Sequence, residues 1–233
     1  EDQSSAAEAK TEETQKPRRS KVRLRDLYIK ALPLFKINLA WFLLSLPVIT
    51  IFPALGGLYQ AVLSFNRNET PGWKSVWDAF KKYGWLSFQL GLIVLLGYAV
   101  LGGGLWYFNT LDQNWSTYAL ATAGVLLLIW TGINQFSFPL LLLQEEKKVL
   151  LAIRNGYVLA IRLPLNALKT LLLTTLVAAI GTLLAPSWAF ITMALICHIQ
   201  TRTTLKAVET IRSRDADRDA ADAHQAGDDP KDN

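Results

Sequence analysis

The sequence has few residues that hold metals or carry out covalent chemistry. It contains a single cysteine, Cys197, and two histidines, His198 and His224. One cysteine excludes an intrachain disulfide and a cysteine metal cluster, and two distant histidines do not form a zinc-site pattern. Phosphate-binding glycine loops and the HExxH, CxxC and GxSxG motifs are absent as well. We therefore expect no metal, no cofactor and no enzymatic activity.

Charge is also scarce, at 18% of the 233 residues, against about a quarter in average soluble domains. No charged residue occurs from Leu90 to Phe108 or from Trp115 to Leu143. About 20 apolar residues in a helix cross the roughly 30 Å of bilayer hydrocarbon. The sequence thus predicts an all-α fold, a polytopic membrane helical bundle in a lipid bilayer.

The polar residues are concentrated in two tails. Residues 1–25 lack an apolar face and end in a basic block, and residues 207–233 are rich in Asp and Ala. Such compositions predict disorder, which leaves 26–206 as the transmembrane domain. Because the basic block flanks an apolar segment, it indicates membrane orientation, and we expect no nucleic-acid partner.

The first apolar stretch, from Leu27 to Phe65, is too long for one crossing. Pro47 and Pro53 bracket its centre, and proline disfavours helix at and before its position. Either one kinked helix or a hairpin of two helices fits this pattern. The segments on both sides of the stretch are basic, and short basic segments stay in the cytoplasm. An even number of crossings is required, which favours the hairpin.

The same charge rule orders the rest of the chain. Lys and Arg cluster before residue 37, at 67–82, at 144–163 and after residue 200, whereas 109–116 and 185–187 contain none. About six transmembrane helices follow, with both termini cytoplasmic. They are predicted at 27–47, 53–66, 85–108, 117–143, 164–184 and 187–206. The second, with about 14 residues, is short enough to be a re-entrant helix.

Two of the inner connections have helical amphipathic patterns. In the first, Trp73, Val76, Trp77 and Phe80 recur at helical spacing. In the second, apolar residues of 147–163 form one stripe, with basic residues off it. We expect two cytoplasmic-side amphipathic helices, lying either in the membrane interface or packed beneath the bundle.

Uncharged polar residues inside the predicted crossings are the candidate functional positions, because polar groups are costly in a bilayer. Lys169 lies about one turn into its helix, from which it can snorkel to the surface, and Asn166 lies one turn below it. The absence of Asp and Glu near His198 argues against a proton-coupled pump. The candidates are Asn38, Gln60, Gln89, Asn134, Gln135, Asn166, Lys169 and His198.

Asn134 and Gln135 are the deepest of these positions. They precede Pro139, which leaves the backbone carbonyl of Gln135 without its helical donor. A helix broken in this way can line a ligand cavity. The alternative is an ordinary hydrogen bond between helices, typically worth about 1 kcal/mol.

The run NLAWFLLSLPVITIFPALGGLY, residues 38–59, resembles the opening signature of the YesL family, also called DUF624. The similarity continues through WDAFKK at 77–82, FPLL at 138–141 and the basic segment 147–163. It covers roughly residues 27–206 and departs from the family at Gly56 and Gly57, where members more often carry Ala and Thr.

The resemblance implies a bacterial inner-membrane protein of unknown activity, with no catalytic or binding residue to carry over. Members are often encoded near carbohydrate ABC transporters and glycan-degrading enzymes. The leading hypothesis is therefore a non-enzymatic accessory or regulatory partner of carbohydrate ABC transporter subunits in the plasma membrane. The alternative is a small transporter or channel for a neutral solute, running past Gln60, Gln89, Asn134 and Gln135.

Overall fold

The computed structural model describes residues 24–111, 113 and 115–227, and no strand occurs among them. The chain divides at Leu32 into two units, and the packing described below is that of residues 33–227. Seven α-helices make up the described part of the chain: α1 (Leu24–Leu44), α2 (Ile51–Asn66), α3 (Trp73–Asn109), α4 (Ser116–Leu143), α5 (Val149–Arg162), α6 (Pro164–Leu183) and α7 (Met193–Gly227).

Four helical segments are long and apolar enough to cross a membrane: Val48–Asn66, Trp73–Asn109, Ser116–Leu143 and Pro164–Leu183. A shorter apolar helix covers Ala31–Leu44. Large apolar side chains on α3, α4 and α6 are exposed around the outside of the bundle, where lipid would cover them. They include Leu92, Leu95, Leu96, Leu128, Leu172, Leu176 and Leu183. The fold is thus the predicted all-helical membrane type.

The predicted break near the two prolines is confirmed. Helix α1 ends at Leu44, and a 3₁₀ turn over Val48–Thr50 leads directly into α2. The Thr50 hydroxyl donates to the backbone carbonyls of Leu44 and Pro47, each at 2.6 Å. The bond to Leu44 satisfies a carbonyl that the end of α1 leaves without a helical donor. With the turn, the apolar run lengthens from the predicted 14 residues to 19.

Helix α2 forms the centre of the core. Its residues from Ala54 to Tyr59 and from Ala61 to Leu63 are buried, so it is apolar on nearly every face. A Cβ atom added at Gly57 would lie 2.7 Å from the backbone oxygen of Val76 on α3. Only glycine permits that approach, in the way that small residues permit close packing of helices in membranes.

Helix α3 differs from the prediction. The amphipathic segment 73–82 and the crossing 85–108 form one continuous helix of 37 residues. No proline interrupts residues 83–84, and Gly84 is buried in the helix interior rather than ending it. The predicted boundary at 83–84 is therefore wrong, because the change from polar to apolar composition carried no helix-breaking signal.

The second predicted amphipathic segment is a separate helix, α5. Ala152, Gly156 and Leu159 are buried at helical spacing, whereas Tyr157 is half exposed. A Cβ atom at Gly156 would lie 2.9 Å from the backbone oxygen of Ile133, so α5 packs directly on α4. Residues Ile133 to Leu142 of α4 are buried without interruption.

Helix α7 also requires a correction. The sequence predicted disorder over 207–233, but α7 continues to Gly227, and 228–233 lie outside the described residues. Ala207, Val208 and Ile211 pack with Phe136 and other apolar residues of α4 to α6. The Arg162 side chain of α5 forms an ion pair with Asp215 at 3.1 Å. Tertiary packing and a high alanine content therefore maintain the helix. The predicted N-terminal disorder covers 1–25, of which 1–23 lie outside the described residues, whereas Leu24 and Arg25 begin α1.

Candidate functional site

Asn38 connects α1 to an irregular segment that precedes α7. The segment Trp188–Thr192 is a π-helical turn, in which the ordinary helical hydrogen bonds are displaced. The Asn38 amide nitrogen donates to the carbonyls of Trp188 at 2.9 Å and Ala189 at 2.8 Å. The backbone N–H of Ala194 donates to the Asn38 amide oxygen at 2.7 Å. The side chain is fully buried, and its three bonds identify it as a structural residue.

A cleft of about 340 Å³, called the central cleft below, lies among α2, α3, α4, α6 and α7. None of the residues that line it is charged. Its apolar lining includes Phe52, Leu55, Phe138 and Met193. Its hydrogen-bonding lining comprises Tyr59, Tyr98, Thr131, Asn134, Gln135, Thr174, Thr175 and Gln200. The volume falls within the range of about 300–1,000 Å³ typical of small-molecule sites.

Asn134 and Gln135 lie side by side on this cleft. The Asn134 amide nitrogen donates to the carbonyl of Trp130 in its own helix at 2.7 Å. The Gln135 amide nitrogen donates to the carbonyl of Ala167 on α6 at 3.0 Å. Both amide oxygens are buried and accept no hydrogen bond from the described residues. Gln135 therefore bonds to a neighbouring helix, Asn134 bonds within its own helix, and both residues line the cleft.

Two further cleft residues, Tyr59 and Gln200, were not among the predicted positions. The Tyr59 hydroxyl donates to the Gln200 side-chain oxygen across α2 and α7. The Tyr59 ring also stacks on Phe138, with ring centroids 5.3 Å apart. Gln200 carries the same signal that selected Gln60, an uncharged amide in a predicted crossing, and it could have been included on that ground.

Three predicted positions lie away from the cleft. Gln60 and Gln89 are half-buried, and neither lines the cleft. His198 packs edge-on against Phe65, with ring centroids 5.6 Å apart. Its Nδ1 atom is buried and has no hydrogen-bond partner among the described residues. The structure therefore does not bring these residues together with the Asn134–Gln135 pair.

The last two predicted positions, Asn166 and Lys169, line a different groove. It has a volume of about 220 Å³ between α6 and α7, and Thr170, Thr203 and Lys206 line it as well. Lys169 is exposed, as the snorkelling prediction requires. Among the described residues, no group of three or more His, Cys, Asp or Glu side chains could hold a metal ion.

Comparison with known families gives a match, which lies in the first three helices. Residues 34–110 match the family model described as a protein of unknown function, DUF624. The predicted resemblance to DUF624 is confirmed over these residues. The matched DUF624 segment contains Asn38, the Pro47 turn and Tyr59. No curated protein and no solved structure matches the chain.

We predict that Asn38→Ala destabilises the bundle. The change removes three hydrogen bonds, two to carbonyls of the π-helical turn and one from the Ala194 N–H of α7, and a buried group left without a partner costs about 1–3 kcal/mol. The unfolding midpoint in detergent should fall by several degrees, since about 1 kcal/mol corresponds to roughly 2–4 °C in a chain of this size. The fully buried thiol of Cys197 reports unfolding through a thiol-reactive fluorogenic dye.

Gln89→Ala is the matched control, because Gln89 is a half-buried amide with no hydrogen bond to the described residues. Its midpoint should stay close to that of the unaltered protein. Equal midpoints for Asn38→Ala and Gln89→Ala would show that the Asn38 bonds do not support the fold.

Proposed function

We propose that this protein is a multi-pass membrane protein that binds a small neutral solute in the central cleft. The proposal rests on the uncharged lining and on the amide oxygens of Asn134 and Gln135, which accept no hydrogen bond within the described part of the chain. A buried acceptor without a donor costs about 1–3 kcal/mol, so a ligand hydroxyl that donates to it gains affinity.

The chemistry of the lining narrows the solute class. Ions are disfavoured because the cleft offers no counter-charge, and a charge in an apolar interior is strongly penalised. Hydroxyl-bearing molecules suit the combination of amide acceptors, the Tyr98 and Thr131 hydroxyls and the stacked rings of Tyr59 and Phe138. The proposed ligand is therefore a sugar or polyol, and transport of such a solute is the corresponding activity.

The binding proposal is tested with radiolabelled glycerol, ribose and glucose. We expect uptake into proteoliposomes, or a raised unfolding midpoint, for at least one of them. Asn134→Ala and Gln135→Ala should each weaken the effect about three- to tenfold, the loss of one hydrogen bond of about 0.5–1.5 kcal/mol. Gln60→Ala, an amide outside the cleft, is the control and should leave it unchanged. An unaltered response in both cleft variants, or no response in the parent protein, would contradict the proposal.

The proposed topology has six crossings with both termini in the cytoplasm. Four apolar helical segments of membrane length and the shorter Ala31–Leu44 helix support it. The segments 67–82 and 144–163 contain four Lys or Arg residues each, whereas the connections between α3 and α4 and between α6 and α7 contain none. Basic connections remain on the cytoplasmic side.

Cysteine labelling tests this topology in a Cys197→Ala background. Gln113→Cys, between α3 and α4, should react with a membrane-impermeant maleimide in intact cells. Glu146→Cys, between α4 and α5, should react only after the membrane is permeabilised. The opposite pattern would invert the orientation, and labelling of both positions from outside would contradict the single crossing of α4 between them.

The second candidate function is that of an accessory partner of a carbohydrate transport system. The outward face of α5 favours it, because Leu150, Tyr157 and Ile161 are exposed there beside the basic residues Arg154 and Arg162. An apolar face with a basic rim is suited to docking a partner at the membrane surface.

Crosslinking in native membranes, followed by mass spectrometry, tests the accessory role. Transporter subunits should be recovered through Lys74 and Lys81 of α3 and through Lys147 and Lys148 before α5. Arg154→Glu on α5 should reduce the recovery, whereas Arg218→Glu, the same charge change on exposed α7, should not. Recovery of this chain alone would count against an accessory role.

A further inference from the structure

The groove between α6 and α7 is lined by charged residues, whereas the central cleft is not. Two lysines, Lys169 on α6 and Lys206 on α7, line it together, and no acidic residue does. Neither lysine forms an ion pair within the part of the chain that the structure describes. Two ammonium groups that share a groove repel each other unless an anion lies between them.

The remaining lining supplies hydrogen-bonding groups beside the charges. The Asn166 side chain and the Thr203 hydroxyl line the same groove. The Thr170 hydroxyl is occupied, because it donates to the Asn166 carbonyl at 2.8 Å. Ammonium, amide and hydroxyl donors around one small volume match the several acceptor oxygens of a phosphate group.

The position of the groove relates it to the membrane surface. Lys169 lies in the second turn of α6, and Lys206 lies where α7 changes from an apolar to a polar sequence. Leu173 and Ile199 form the apolar part of the lining, and exposed leucines of α6, such as Leu172 and Leu176, continue along the outside of the helix. An acyl chain can lie on such a surface while the headgroup contacts the lysines.

We propose that Lys169 and Lys206 form a binding site for a phosphate-type anion, of which the phosphodiester of an anionic phospholipid is the membrane source. Inorganic phosphate offers the same oxygens without the acyl chain and is the soluble source. The site is separate from the central cleft, so it does not depend on solute binding there.

The test is native mass spectrometry of the full chain in a neutral detergent, titrated with dioleoyl phosphatidylglycerol or dioleoyl phosphatidylcholine. We expect preferential retention of phosphatidylglycerol. Lys169→Gln combined with Lys206→Gln should weaken this retention about tenfold or more. Each basic residue near an anionic lipid surface contributes a factor of about five in affinity, and this variant loses two. Lys74→Gln combined with Lys82→Gln removes the same charge from exposed positions outside the groove and should retain the preference.

Replacing both groove lysines by arginine keeps the charge and should preserve binding, which separates loss of the site from loss of the fold. Competition by millimolar inorganic phosphate would support the proposal with a soluble anion as the source, and lack of competition would support the lipid source. Equal retention of the two lipids by the parent protein, or unchanged retention in the double glutamine variant, would overturn the proposal.

Discussion

The hydrogen bonds of Asn38 are the interaction on which the bundle depends most. An apolar environment offers no water to a backbone that leaves regular helical geometry, so the π-helical turn at Trp188–Thr192 requires donors and acceptors from elsewhere. The Asn38 amide supplies both a donor and an acceptor. Its nitrogen donates to two carbonyls, and its oxygen accepts a hydrogen bond from one N–H. The Phe35 ring, one turn before Asn38, stacks on Phe190 with centroids 5.6 Å apart. Helix α1 is thereby held to the start of α7, which in turn borders the cleft.

Close approach at glycines determines the rest of the packing. Gly57 brings α2 against α3, and Gly156 brings α5 against α4. Lipid is as apolar as leucine, so these contacts are stabilised by packing and hydrogen bonding rather than by the exclusion of water. Tyr59, Asn134 and Gln200 lie instead on the cleft between the helices.

Features that depend on neighbouring residues along the chain could be predicted from the sequence. Charge-free runs and Pro47 define the helices and the first break, because backbone groups in lipid must be paired within a helix. Asn134 and Gln135 are recognisable because amides are costly in an apolar run. The pairing of Tyr59 with Gln200 joins residues 141 apart, which no local pattern encodes. The extension of α7 depends on tertiary packing of Val208 and Ile211, and the composition of that tail by itself favours disorder.

The continuity of α3 has a mechanical consequence. A helix of 37 residues is about 55 Å long at 1.5 Å per residue, and without proline it behaves as a stiff rod. Lys74 lies in its basic first turn and Tyr98 lies on the cleft, so both belong to one rigid body. A tilt imposed at the basic end by lipid or protein therefore moves Tyr98 as well. The helix acts as a lever between the membrane surface and the interior of the bundle.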